Sequence, residues 1–172
     1  MHIKKGNLFI RSATPCDAAI LCKWWNDGKV MEHAGFPKGL GITEQAVLAN
    51  INDQSDSRKL LIIEANSSPI GEMSYREVDE ATVQIGIKIC DFSKQEKGFG
   101  TSFLKMLIEY LFFERCYEKI VLDTNLNNRR AQHVYEKIGF TRIGVRERSF
   151  VDQLGNPQSS VDYELLRENY IA

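Results

Sequence analysis

The sequence leaves little room for zinc or disulfide chemistry. Its four cysteines, Cys16, Cys22, Cys90 and Cys116, include no C-x-x-C pair, and only three histidines accompany them. That spacing offers no metal-ligand pattern and reads as free thiols, buried or half-buried, in a reducing cytoplasm. No run approaches the roughly 20 apolar residues that a membrane-spanning helix needs. The opening stretch, Met1-His2-Ile3-Lys4-Lys5-Gly6-Asn7, leads into no apolar signal core. Neither sign of charge is in excess: 22 Lys and Arg stand against 23 Asp and Glu, for a net charge of -1. That balance leaves no electrostatic footprint for nucleic acid or an anionic membrane. Repeats, low-complexity tracts and linker-like stretches are also missing. The expectation is a soluble cytoplasmic protein, monomeric or homodimeric, with one domain over residues 1–172.

What is there suits a packed core. The chain has 172 residues, 43% of them hydrophobic and 26% charged, enough for one globular domain and too few for two of ordinary size. Apolar runs predict strands at 8–11, 58–65, 70–78, 82–90, 119–124, 140–148 and 161–167. Thr14-Pro15-Cys16-Asp17 reads as a helix start, with Thr14 as cap, Pro15 first in the helix and Asp17 acidic in its first turn. Asn26-Asp27-Gly28 ends that helix, and Thr43 caps a second one with Val47, Leu48 and Ile51 inward. A third starts near Thr101 and shows Phe103, Leu104, Leu107, Ile108, Leu111 and Phe112 at i, i+3, i+4 spacing. A fourth runs from about 128 to 137 and stops at Gly139. Strands 58–65, 70–78 and 82–90 form an antiparallel meander. Strand 82–90, the third helix and strand 119–124 form a parallel βαβ unit.

Some stretches stay open. Residues 30–36 have no clear period. Residues 35–41 hold three glycines and a proline, which suits a substrate lid or an inert connector. Trp24 and Trp25 are adjacent and cannot share one face, so one belongs to the core and the other is free to wall a cleft. His33 reads as structural or solvated.

The most informative stretch is Asp91-Phe92-Ser93-Lys94-Gln95-Glu96-Lys97-Gly98-Phe99-Gly100-Thr101. A loop that empties into a helix N-terminus collects N–H groups the helix leaves unpaired, and these favour an anion. Glycine lets the backbone approach a ligand closely. A Walker loop is excluded because Phe99-Gly100, not Lys-Ser/Thr, follows Gly98. The dinucleotide fingerprint fails because Phe103 stands where its third glycine belongs. What remains is Gln95-x-x-Gly98-x-Gly100, either a diphosphate cradle or a plain glycine turn before a helix.

Gln95-x-x-Gly98-x-Gly100 resembles the pyrophosphate motif of the GCN5-related N-acetyltransferases. Asn128-Arg129-Arg130-Ala131-Gln132-His133-Val134-Tyr135-Glu136-Lys137-Ile138-Gly139-Phe140 resembles that family's second signature, Asn-x-x-Ala-x-x-x-Tyr-Glu-Lys-x-Gly-Phe. Asp17, Trp24 and Asn26-Asp27 resemble the branch that holds the ribosomal-protein N-terminal acetyltransferases. The resemblance implies an α/β acyl-CoA N-acyltransferase fold, a mixed and mostly antiparallel sheet with flanking helices. It implies acetyl-CoA as cosubstrate and transfer to a primary amine by direct attack through a tetrahedral intermediate. The pantetheine arm would lie where strands 82–90 and 119–124 splay, bonded by the backbone of Ile87 and Ile89 and by Asn128. Backbone N–H groups of Gln95, Lys97, Gly98, Gly100 and Thr101 would hold the pyrophosphate. Tyr135 matches the tyrosine near the thioester sulfur. Its reference pKa of about 10 against about 8.5 for a thiol lets it protonate the leaving group. From the residues alone, Asn128 is equally a helix cap and Tyr135 a core aromatic.

No base is inherited. The position eleven before Gln95, a glutamate in some members, is Gln84 here, and the position eight before it, an aspartate in some aminoglycoside 6'-acetyltransferases, is Ile87. Glu72 or Asp123 remains, acting through water or merely solvated and ion-paired. The acceptor expected first is a peptide or ribosomal-protein N-terminus, and next a small amine such as an aminoglycoside or polyamine. The rival classes are an acyl-CoA sensor without turnover and a nucleotide-binding domain.

Overall fold

The computed structural model describes residues 1–171, which form eight strands in a single sheet with helices on both faces. Strands β1 (His2–Lys5) and β2 (Leu8–Ser12) are followed by helices α1 (Ala18–Trp25), α2 (Gly28–Met31) and α3 (Glu44–Asn52). The meander β3 (Arg58–Ala65), β4 (Ser68–Glu77) and β5 (Thr82–Ile89) leads into α4 (Phe99–Glu109). Then come β6 (Lys119–Asn125), α5 (Arg129–Ile138), β7 (Thr141–Val151) and β8 (Pro157–Leu166). The sheet order is β1-β2-β3-β4-β5-β6-β8-β7, and β5 with β6 is the parallel pair in an otherwise antiparallel set.

The two faces differ in what covers them. On one, the apolar stripe of α4 (Phe103, Leu104, Leu107, Ile108) and the inner side of α5 pack on Tyr75, Val83, Ile120 and Tyr163. On the other, Leu21 and Trp24 of α1 and Val47 and Ile51 of α3 pack on Ile62 and Cys90. Trp24 is core, while Trp25 packs only partly against this cluster. Helix α1 is entered through a fixed turn. Arg11 donates two bonds to the Asp17 carboxylate, at 2.7 and 2.8 Å, and Asp17 also accepts from the Thr14 N–H at 2.7 Å. Burial works against that carboxylate, but these bonds outweigh it and hold its pKa below the ordinary aspartate value.

Several boundaries differ from the sequence reading. Strand β1 was not expected; its alternating Ile3 is the one residue that packs on the core. The stretch 30–36 resolves into the end of α2 and one tight turn, Glu32–Ala34. Helix α4 begins at Phe99, two residues before Thr101, and β7 and β8 extend to Val151 and back to Pro157. Cys16 and Cys116 are exposed rather than buried. No helix among the described residues is long and apolar enough to cross a membrane.

Candidate active site

The site forms where β5 and β6 part. Their pairing is confined to Thr82 with Lys119, Val83 with Ile120 and Gln84 with Val121. Beyond this the β5–β6 ladder stops, although β6 stays paired with β8 along its other edge, and the far half of β5 has no strand neighbour on that side. The Cys90 N–H bonds the Ile70 carbonyl at 2.8 Å, so even-numbered β5 residues address β4. Antiparallel alternation then aims the backbone of Ile87 and Ile89 into the gap.

The glycine loop closes the top of that gap. Gly98 is the N-cap of α4 with φ +80°, a left-handed conformation that glycine takes without the Cβ clash other residues meet. The N–H groups of residues 97 to 101 find no acceptor among the described residues, and the first helical bond is Ser102 N–H to the Gly98 carbonyl at 3.1 Å. Five donors thus converge at the positive end of a helix dipole. A Cβ built on Gly98 or Gly100 meets nothing within 4 Å, so the protein leaves this space open. Lys97 is exposed beside it and Thr101 half-buried. This arrangement fits a diphosphate. Gln95 plays a different part from the backbone donor expected: its N–H already bonds the Phe92 carbonyl at 3.2 Å. Its side chain braces the loop instead, donating to the Ile89 carbonyl at 2.9 Å and accepting from Arg130 of α5 at 2.6 Å. The Phe99 N–H and Arg130 were not anticipated. The first follows from the true helix start; the second comes from a distant segment and leaves no mark at the loop itself.

Helix α5 forms the other wall. Asn128 caps it, accepting from the Ala131 N–H at 3.2 Å and donating to Thr124 Oγ1 at 3.3 Å, so its side chain carries the capping role. Tyr135 is buried, edge-on to Tyr163 at 5.8 Å and tilted against Phe140 at 6.0 Å. Its hydroxyl makes no hydrogen bond among the described residues, unlike a core tyrosine whose hydroxyl is satisfied. Burial, with the charge of Asp123 adding to it, raises its pKa and keeps it protonated.

On the α1–α3 side the sheet beyond β4 is polar. Arg76 Nε donates to Gln84 Oε1 at 2.8 Å, turning the Gln84 amide NH2 toward Asp123, 3.5 Å away. Arg146 bridges onward to Asp123 at 3.1 Å and to Asp162 at 2.8 Å. The ribbon crosses the foot of the gap. Glu72 is buried with one oxygen 3.0 Å from Lys88 Nζ and the other unpartnered among the described residues; its charge raises the Lys88 pKa. The Glu72 side chain is 6% exposed, against 42% for Asp123, so Asp123 is the carboxylate a solvated amine reaches more readily.

Loop 35–41 is tethered at several points. Gln153, at the β7–β8 turn, donates its N–H to the Gly35 carbonyl (2.8 Å) and Nε2–H to the Gly39 carbonyl (3.0 Å), and accepts the Lys38 N–H (2.8 Å). Behind it, a Cβ on Gly39 would lie 2.1 Å from the Asn26 carbonyl, so the loop is pressed against the end of α1. His33 is on the turn before it, exposed and 3.7 Å from Glu32.

The profile of the acetyltransferase (GNAT) domain family matches residues 7–141. An aminoglycoside N(6')-acetyltransferase type 1 of Klebsiella pneumoniae is 30% identical over 154 residues, covering 78% of this chain and 74% of that protein. The N-acetyltransferase YnaD of Bacillus subtilis is 27% identical over 147 residues, covering 84% of this chain and 85% of that one. Among solved structures, the spermidine N-acetyltransferase of Vibrio cholerae in complex with CoA and spermine superposes with a TM-score of 0.85 at 21% identity, over 98% of this chain and 100% of that one.

Proposed function

The chain belongs to the acetyltransferase (GNAT) family, and from that premise we propose how its own residues carry acetyl from acetyl-CoA to a primary amine. It is an acetyl-CoA-dependent acyltransferase. Acetyl-CoA, when bound, supplies an activated acyl carbon and a thiol leaving group. The N–H groups of residues 97 to 101 hold its pyrophosphate, and the open edge at Ile87 and Ile89 takes the pantetheine arm. Arg130 and Gln95 fix the cradle against α5. Asn128 contributes by starting α5 in register, so that Tyr135 reaches the foot of the gap.

The reaction forms one N–C bond and breaks one C–S bond. The neutral amine adds to the carbonyl from the polar face. Its nitrogen then carries a positive charge and is strongly acidic, so a nearby carboxylate can accept the proton. Asp123 receives it, directly or through one water. Tyr135 Oη gives a proton to the departing sulfur and regains one from solvent. Gln84 offers its amide NH2 to this space, so it orients rather than deprotonates. The observation that carries the reading is five unpartnered N–H groups around open space, on a chain that also buries a tyrosine whose hydroxyl is free.

The acceptor we propose is a small molecule with several amines. Asp123, Asp162 and Glu32 give the polar face carboxylates for such cations, and the relatives named for aminoglycoside and spermidine transfer support this over a peptide N-terminus. Acetyl-CoA-dependent thiol release against aminoglycosides, polyamines and short peptides tests it. Turnover with one of the polyamine classes is expected. Turnover confined to peptides would restore the N-terminal reading, and CoA binding without any turnover would favour a sensor.

A further inference from the structure

The glutamate that follows Tyr135 has no part in the chemistry above, yet the structure gives it a partner across the core. Glu136 Oε1 accepts the Tyr163 hydroxyl at 2.8 Å. Tyr163 is a β8 residue with no exposed surface, and its ring meets Tyr135 edge-on, with centroids 5.8 Å apart and planes at 65°. Phe140 closes the opposite side at 6.0 Å. A buried tyrosine hydroxyl seeks an acceptor, and Tyr163 and Tyr135 are neighbours.

We infer that Glu136 and Tyr163 are a positioning couple for Tyr135. Glu136 binds the Tyr163 hydroxyl and so fixes the Tyr163 ring. That ring, together with Phe140, holds the Tyr135 ring in place. Glu136 also ties the last turn of α5 to β8, which opposes rotation of the helix and its tyrosine away from the gap. Neither residue touches the substrate. The inference rests on the acid role proposed for Tyr135.

The test is a set of steady-state measurements on the full chain with a turned-over amine, using Tyr135→Phe, Tyr163→Phe, Glu136→Ala and Glu136→Gln, and Tyr135→Phe combined with Tyr163→Phe. Displacement of a reacting group by about 1 Å can cost about a hundredfold in rate, so Tyr163→Phe and Glu136→Ala are expected to lower kcat about ten- to a hundredfold. KM for acetyl-CoA should move little. Glu136→Gln, which keeps an oxygen acceptor, should recover most of the loss. In the Tyr135→Phe background, Tyr163→Phe should cost almost nothing further, because its effect runs through a hydroxyl already removed. Unchanged kcat in Tyr163→Phe and Glu136→Ala would overturn the inference, as would a loss that persists in full on Tyr135→Phe. An unchanged kcat in Tyr135→Phe, with chemistry limiting, marks failure of the acid role itself and removes the inference with it. Glu136 is on the exposed side of α5, so its variants remain informative should the buried Tyr163→Phe fold poorly.

Discussion

Gly98 and Gly100 look alike in the sequence and do different work. Gly98 holds a left-handed cap, so Gly98→Ala forces a side chain into that region and should cost about 1–2 kcal/mol in chemical denaturation. Gly100 lies inside α4, and its Cβ would enter open space. Replacing it should leave stability unchanged or raise it by up to about 1 kcal/mol. Its cost should fall on ligand binding alone. Tyr135 makes a prediction about pH. Its pKa is raised, so the protonated acid persists through neutral and mildly alkaline solution. The kcat profile should therefore rise as the amine loses its proton and show no fall from this tyrosine up to its ordinary value of about 10. A clear fall of kcat below that value, abolished in Tyr135→Phe, would contradict the assignment. Both residues were legible in the sequence because short motifs fix them. Arg130 and Glu136 belong to the same motif, but their partners, Gln95 and Tyr163, are 35 and 27 residues away, and only the fold brings them together.

At the scale of elements, two contacts hold the acceptor side in shape. The Arg11–Asp17 pair pins the entry to α1, with side chains only 19% and 8% exposed. Removing one partner from a buried pair costs about 3 kcal/mol or more, so Asp17→Asn should lower the unfolding free energy by about that much at neutral pH. Asp17 has a depressed folded-state pKa, so its contribution is present above the unfolded value near 3.9 and is lost as pH falls through the folded value. The difference between wild type and Asp17→Asn should thus shrink in strongly acid solution. Equal stabilities at pH 7 would refute it. Gln153 is the second contact. Gln153→Ala should speed hydrogen exchange at residues 35–41 and raise KM for the amine while sparing KM for acetyl-CoA. Unaltered exchange would mean the loop is held by its packing on Asn26 alone. The sequence left a lid and an inert connector open here, because three glycines and a proline suit mobility. The glycines instead serve close packing, a purpose local composition cannot distinguish from flexibility.

Over the whole molecule, most of the fold was readable because the strands from β2 onward and the longer helices carry their own period, which the short β1 and α2 do not. The α4 stripe predicts which side faces the sheet, and the βαβ unit around it predicts the single parallel pair. What could not be read was where that pair ends. The gap exists because β5 leaves β6 after three paired positions while β6 stays on β8 throughout, a matter of register rather than composition. The polar ribbon from Arg76 to Asp162 was hidden for the same reason: its members come from β4, β5, β6, β7 and β8 and meet only across the sheet. The proposed chemistry requires that this gap, capped by the start of α4, hold acetyl-CoA. Calorimetric titration of CoA into the wild type and into Gly100→Leu, with unfolding temperatures recorded for both, is the direct measurement. One-site binding in the wild type, weakened tenfold or more in an equally stable Gly100→Leu, is the predicted result. Equal affinity in the two proteins would place CoA elsewhere and contradict the cradle.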